Sequence, residues 1–250
     1  MIRARLKLFG LCAMVLGVMA VFTASAQAKP EWMVNGANIT TNTLAPEVQV
    51  KEVEKLGEAG ERHLVLLTEI LKFKTEILCE GMEFRNIKLQ ASGTTTEGDI
   101  HFSKCITKLN GVTNASCVPK SKEQEAGLIL TEPGKGTIVT HILKDKEGKE
   151  IGKDALVLVK PTNAEERFVT VLMSEACPIG EKVPIKGEFF IKDCKGLAET
   201  EEVDHLMEEG PLTHLYAITD TAEHAAKIDG SAIARLVGAH LGLKWSGLAL

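Results

Sequence analysis

The residues best able to do chemistry in this 250-residue chain are six cysteines and seven histidines. Cys12 is followed by Cys79, Cys105, Cys117, Cys177 and Cys194. None of these forms the C-x-x-C pair that structural zinc sites use. A nucleophilic cysteine needs a partner base and an electropositive setting, and the spacing places neither. Disulfide bonding is therefore the expected role of the last five, with one left over as a free thiol or a link between chains. Cys105 and Cys117 flank a short loop centred on Asn110-Gly111, a dipeptide that supplies the positive φ angles of a tight reversal. Cys177 and Cys194 flank a hairpin-like segment in the same manner. Local bridges across each loop are expected, with Cys79 the competing partner.

Four histidines fall late, at His205, His214, His224 and His240. Asp204, Glu208, Glu209, Asp220, Glu223 and Asp229 lie among them. Such groups could serve a hydrolase through acid–base work, or hold a metal. Their gaps of 9, 10 and 16 residues match no ligand spacing. The chain holds no G-x-S-x-G elbow, no H-E-x-x-H and no phosphate-binding glycine loop. Gly134 and Gly136 follow Pro133 and precede a strand-like run, which reads as a hairpin turn. Sugar-binding sites need flat aromatic platforms, and aromatic residues are only 4% of the chain. No catalytic residue, cofactor or metal ligand is assigned.

The elements that would position these residues begin after a basic start at Arg3, Arg5 and Lys7, an apolar run from Leu8 to Phe22, and Ala26-Gln27-Ala28. This is the layout of a secretory signal peptide cut after Ala28. The apolar run falls short of the ~20 residues that cross a bilayer. Losing residues 1–28 lowers the formal net charge from −5 to −8, because three cations leave and no acid does. An acidic mature chain argues against a nucleic-acid partner. No later apolar run is long enough for a transmembrane helix. The expected location is the cell surface or the extracellular space, where bridged cysteines persist.

The rest of the chain alternates apolar and polar residues in runs of four to nine, bounded by Gly, Pro, Asn or Asp. That pattern predicts an all-β, antiparallel β-sandwich or barrel-like fold. Residues 29–250 are read as a single domain with an internal seam near 133. Glu31–Ile39 is expected as an edge strand anchored by Trp32. One short helical turn is expected in the C-terminal third, at Val203–Leu212. Residues 231–241 fit either a helix or a strand, with a strand favoured by the β-rich surroundings. Trp245 belongs either to a docking tail or to a last strand packed home.

Several stretches together carry a likeness: "EWMVNGANI", "IHFSKC", "AGLILTEPGKGTI", "FVTVLMSEACPIGEKVPIKG" and "IDGSAIARLVGAHLGLKWSG". In these the chain resembles an uncharacterised family of small secreted bacterial proteins of actinobacterial type. The resemblance implies secretion, a β-rich fold and a common bridged set of Cys79, Cys105, Cys117 and Cys177, leaving Cys194 odd. It transfers no catalytic residue. The common set competes with the local pairing of Cys177 and Cys194, and the two alternatives stay open at this point. The expected function is a non-enzymatic, disulfide-stabilised binding or surface module of the cell envelope. Its binding surface would be the loop from Lys108 to Ser121, since loops on a rigid scaffold tolerate variation. The alternatives are a secreted hydrolase using the late histidines and acids, and a homodimer linked through the odd cysteine.

Overall fold

The computed structural model describes residues 29–43, 45–53, 64–192, 202–207 and 214–248. The expected signal peptide and its cleavage site, Cys12 and Cys194 lie outside these residues. The described chain is built from antiparallel strands of two to fourteen residues. It opens with β1 (Glu31–Val34), β2 (Ala37–Asn38) and β3 (Val48–Val53). A meander follows: β4 (Leu64–Ile70), β5 (Phe73–Arg85), β6 (Leu89–Gln90), β7 (Thr94–Thr95), β8 (Asp99–Leu109) and β9 (Val112–Thr113). The middle holds β10 (Ile129–Leu130), β11 (Gly134–Lys144), β12 (Glu150–Pro161), β13 (Arg167–Leu172) and β14 (Lys182–Ile191). The last strands are β15 (Glu202–Met207), β16 (His214–Ile218), β17 (Glu223–Leu236) and β18 (Trp245–Leu248).

Tight reversals connect the hairpins. Asn35-Gly36 and Asn110-Gly111 both have positive φ at each residue, the geometry of a type I′ turn. Leu71-Lys72 joins β4 to β5 with the same signs, at φ 49° and 68°, and without a glycine. Between β11 and β12, Asp145 Oδ1 accepts hydrogen bonds from the amides of Glu147 and Lys149 and organises a solvent-exposed tip. Ile142, Leu143 and Ile151 are exposed beside that tip.

Most strands join one sheet in the order β10-β8-β5-β4-β17-β16-β14-β12-β11-β7-β6. β13 adds to β14, β9 to β8, and β3 and β15 to the second half of β17. The sheet curls until its β10 end approaches β13. There Lys120 bridges Leu172, and the Glu132 amide donates to the Phe168 carbonyl. Among the described residues no ladder of strand pairs closes it into a barrel. A small sheet, β18-β1-β2, covers one end. Trp32 and Trp245 meet there with ring centroids 5.9 Å apart, and Trp32 Nε1 donates to the Thr94 carbonyl at 2.8 Å.

β5 and β8 change the face they bury part-way along. Thr75, Ile77 and Cys79 are buried at odd positions, then Met82 and Phe84 at even ones. β8 mirrors this with Ile100 before the change and Cys105, Thr107 and Leu109 after it. Pairing keeps its register from Cys79–Cys105 to Gly81–Ser103, and the change falls where Lys104 takes φ 52°.

Several expectations are corrected. The predicted helical turn at Val203–Leu212 is in part a strand: β15 pairs residue by residue with Glu202–Met207 opposite Gly230–Arg235, while 208–213 lie outside the described residues. An adjacent long strand offers that segment a complete hydrogen-bond ladder, which outweighs a weak helical pattern. Residues 231–236 are strand, as favoured, and the chain then makes a 3₁₀ turn at Gly238–His240. β1 is the middle strand of its small sheet, not an edge, while Trp32 is buried as expected. Trp245 is buried in β18, so the tail packs home.

Candidate functional site

Among the described residues two bridges are present, Cys79–Cys105 and Cys117–Cys177. The expected local bridge between Cys105 and Cys117 does not form, and Cys177 is already taken by Cys117, so it does not pair with Cys194. Strand register is the reason. Cys79 and Cys105 are directly opposed, whereas β9 leaves the ladder at Thr113, which faces Lys108, and carries Cys117 away from β8. A 3₁₀ turn, Ala115–Cys117, delivers Cys117 to the segment that follows β13, where Cys177 sits. The Cys177 sulfur also packs 3.3 Å from Met173 Sδ, and Cys117 is fully buried.

This arrangement pins the loop from Lys108 to Ser121 at several points. Asn110 Oδ1 accepts the Lys74 amide at 2.9 Å, and the Asn110 amide donates back to the Lys74 carbonyl. Asn114 Oδ1 accepts the Ser116 amide at 2.9 Å, an N-cap for the short turn. Ser174 Oγ donates to the Ser116 carbonyl at 2.6 Å. The loop therefore presents Val112, 70% exposed, and Val118 on a fixed backbone. Exposed valines so held offer apolar contact at little cost in ordering entropy.

Next to the loop lies a groove of about 410 Å³ whose walls include Ser121, Lys122, Glu132, Arg167, Leu172 and Lys182. Arg167 binds Glu132 through Nε and Glu165 through Nη1. Its backbone amide donates to Asn163 Oδ1 at 3.0 Å, and its carbonyl accepts from Asn163 Nδ2 at 2.7 Å. The hydrogen bond to Glu132 is the main cause that holds its guanidinium still more firmly protonated than usual. Arg167 is thus a fixed post in the groove wall, with its charge spent on two carboxylates.

The late histidines are spread along the sheet. His224, near the start of β17, has Nε2 3.2 Å from Thr219 Oγ1. His240 follows the other end of that strand, which spans fourteen residues and so about 45 Å at the usual rise. His214 is exposed on β16 and faces Glu188 across the β14–β16 ladder. The backbone of His205 pairs with Ala232, and the side chains of Asp204 and His205 lie outside the described residues, as do Glu208 and Glu209. Asp220 and Glu223 are exposed, and Asp229 faces Val65 on β4. Among the described residues no three His, Cys, Asp or Glu side chains converge as a metal site would require.

A different polar cluster does form, and the sequence reading missed it. Glu83 and Arg85 on β5 stand opposite His101 and Asp99 on β8. Arg85 Nη2 donates to His101 Nδ1 at 3.0 Å, and Arg85 Nε lies 3.5 Å from Glu83 Oε2. An accepting Nδ1 places the proton of the neutral ring on Nε2. Burial raises the Asp99 carboxyl above its ordinary value, against the attraction of Arg85 and His101. Asp99 Oδ1 and His101 Nε2 are both buried without a hydrogen-bond partner among the described residues, a pattern that ordered water commonly satisfies. The available signal was the charge at every second residue in "MEFR" and "DIH", readable only once the two strands are known to pair.

The fold and its bridges together define a class: an all-β protein held by two disulfides. No protein-family model, no curated protein and no solved structure matches the chain.

Proposed function

We propose that this chain is a secreted, disulfide-stabilised, non-enzymatic module that binds at the cell envelope through the loop from Lys108 to Ser121 and the groove beside it. The observation that carries this reading is the Cys117–Cys177 bridge, which fixes the end of an exposed, valine-bearing loop to the turn between β13 and β14, sixty residues on. Disulfides of this kind belong to oxidising compartments. The signal-like start of the chain, its acidic charge and its resemblance to small secreted bacterial proteins support export. Residues 1–28 would be removed after Ala28.

The test has two arms. N-terminal sequencing of protein collected from the medium is expected to begin at Lys29. The oxidised protein is then mixed with washed envelopes of the producing cells. Wild type is expected to sediment with them, and Val112→Asp/Val118→Asp is expected to stay in the supernatant. Equal retention of the two proteins would overturn the loop assignment.

A further inference from the structure

The interior of the curled sheet is incompletely filled. Two hollows of about 70 Å³ each lie inside it. The first is walled by residues such as Ile77, Phe102, Val171, Ile185 and Leu215. The second is walled by Trp32, Phe84, Leu89, Val157 and Trp245, among others. Ile100, Thr131 and Phe168 belong to both walls, so the hollows adjoin there.

The chemistry of the walls decides what could fill them. Among the described residues that line the first hollow, Thr131 alone has a polar side chain, apart from the bridged Cys79. Its hydroxyl already accepts the Ile100 amide at 2.9 Å. A buried water needs two to four polar partners, and this wall does not supply them. Protein interiors ordinarily pack with few voids larger than a water molecule, because an unfilled space forfeits dispersion contacts along its whole lining. The second hollow extends to Glu132 and to the exposed Lys135, which gives it a polar mouth. Gly136 lies in its wall, where an added Cβ would come within 3.0 Å of Val157 and 3.2 Å of Thr95, two other lining residues.

We infer that the two hollows form one binding site for a small apolar molecule, a hydrocarbon ring or short alkyl chain, with any polar group left at the Glu132–Lys135 mouth. This site includes no residue of the loop at Lys108–Ser121 and meets the groove beside it at Glu132 and Val169, so the Val112 variants and the hollow-filling variants test the two assignments separately.

The protein carries its own reporter, because both of its tryptophans line the second hollow. The oxidised, delipidated full-length protein is titrated with benzene and with n-alkyl carboxylates of increasing length. Tryptophan emission and thermal melting are followed together. Expected are a saturable change in emission and a melting temperature that rises with probe concentration, as mass action requires of a ligand for the folded state. Val171→Phe, which fills the first hollow, should weaken binding of the longer chains at least tenfold. If that variant does not fold, Val171→Ile serves instead, with a smaller loss in the same direction. Val112→Asp should bind the probes like wild type. The proposal is overturned if neither signal responds to any probe up to its solubility, or if a folded filling variant binds every probe unchanged.

Discussion

Cys79 and Cys105 are joined across the β5–β8 ladder, their Cα atoms 4.1 Å apart and their residues in register. Their pairing follows from strand alignment rather than from nearness in sequence. The second bridge, Cys117–Cys177, spans sixty residues where the first spans 26. In the chain-entropy view the longer closure restricts the unfolded chain more. Removing it as Cys117→Ala/Cys177→Ala is expected to cost about 4 kcal/mol, against about 3.5 kcal/mol for Cys79→Ala/Cys105→Ala. Urea titration of the two variants measures the difference. A non-reducing peptide map should show these two linkages, and a Cys105–Cys117 peptide would refute the register.

Gly187 lies in β14 at φ 111°, and a Cβ there would sit 1.7 Å from the His214 carbonyl oxygen. β14 pairs β13 on one side of this residue and β12 on the other, so the bend cannot relax in isolation. Gly187→Ala is expected to destabilise by more than about 3 kcal/mol, through a backbone clash combined with a strained dihedral. Chemical denaturation of the purified variant checks it; a loss under about 1 kcal/mol would mean that β14 is looser than described.

Asp99 has its carboxyl raised above the ordinary 3.8 by burial. The folded state therefore holds the proton more tightly than the unfolded chain. Stability from this group is fully present below pH 3.8 and is lost as the pH rises through the higher, folded value. Asp99→Asn keeps the shape and removes the charge. It should raise the melting temperature at pH 7, and the gain should shrink as the pH falls toward 4. A variant less stable than wild type at pH 7 would show that Asp99 and Arg85 attract each other more than burial costs.

Val112 tests the loop from the opposite direction. At 70% exposure it contributes little to folding, so Val112→Asp should leave stability within about 0.5 kcal/mol of wild type. Its envelope retention should nevertheless fall. Loss of both together would assign Val112 to the fold and remove it from the binding surface.

Much of the strand pattern was legible because inward and outward residues alternate and Asn-Gly pairs mark reversals, as at Asn110-Gly111. The turn at Leu71-Lys72 was not, because neither residue favours positive φ on its own; the ladder from Leu64–Cys79 to Ile70–Phe73 imposes it. Gly187 sits inside one bent strand, β14, where a glycine marks a kink rather than a break. Local spacing misled about the cysteines because a hairpin loop can reverse direction and still send its far end to another part of the sheet. The Glu83–Arg85–Asp99–His101 cluster depends on cross-strand register, which a single strand does not encode. The hollows depend on how opposite faces of the curled sheet meet, and alternation is silent about volume.

The exposed tip organised by Asp145 lies between Cys117 and Cys177 along the chain. A protease that nicked the backbone there would not release either fragment. The two pieces would travel as one covalent body and separate only under a reductant, so a clipped molecule would keep its tied loop.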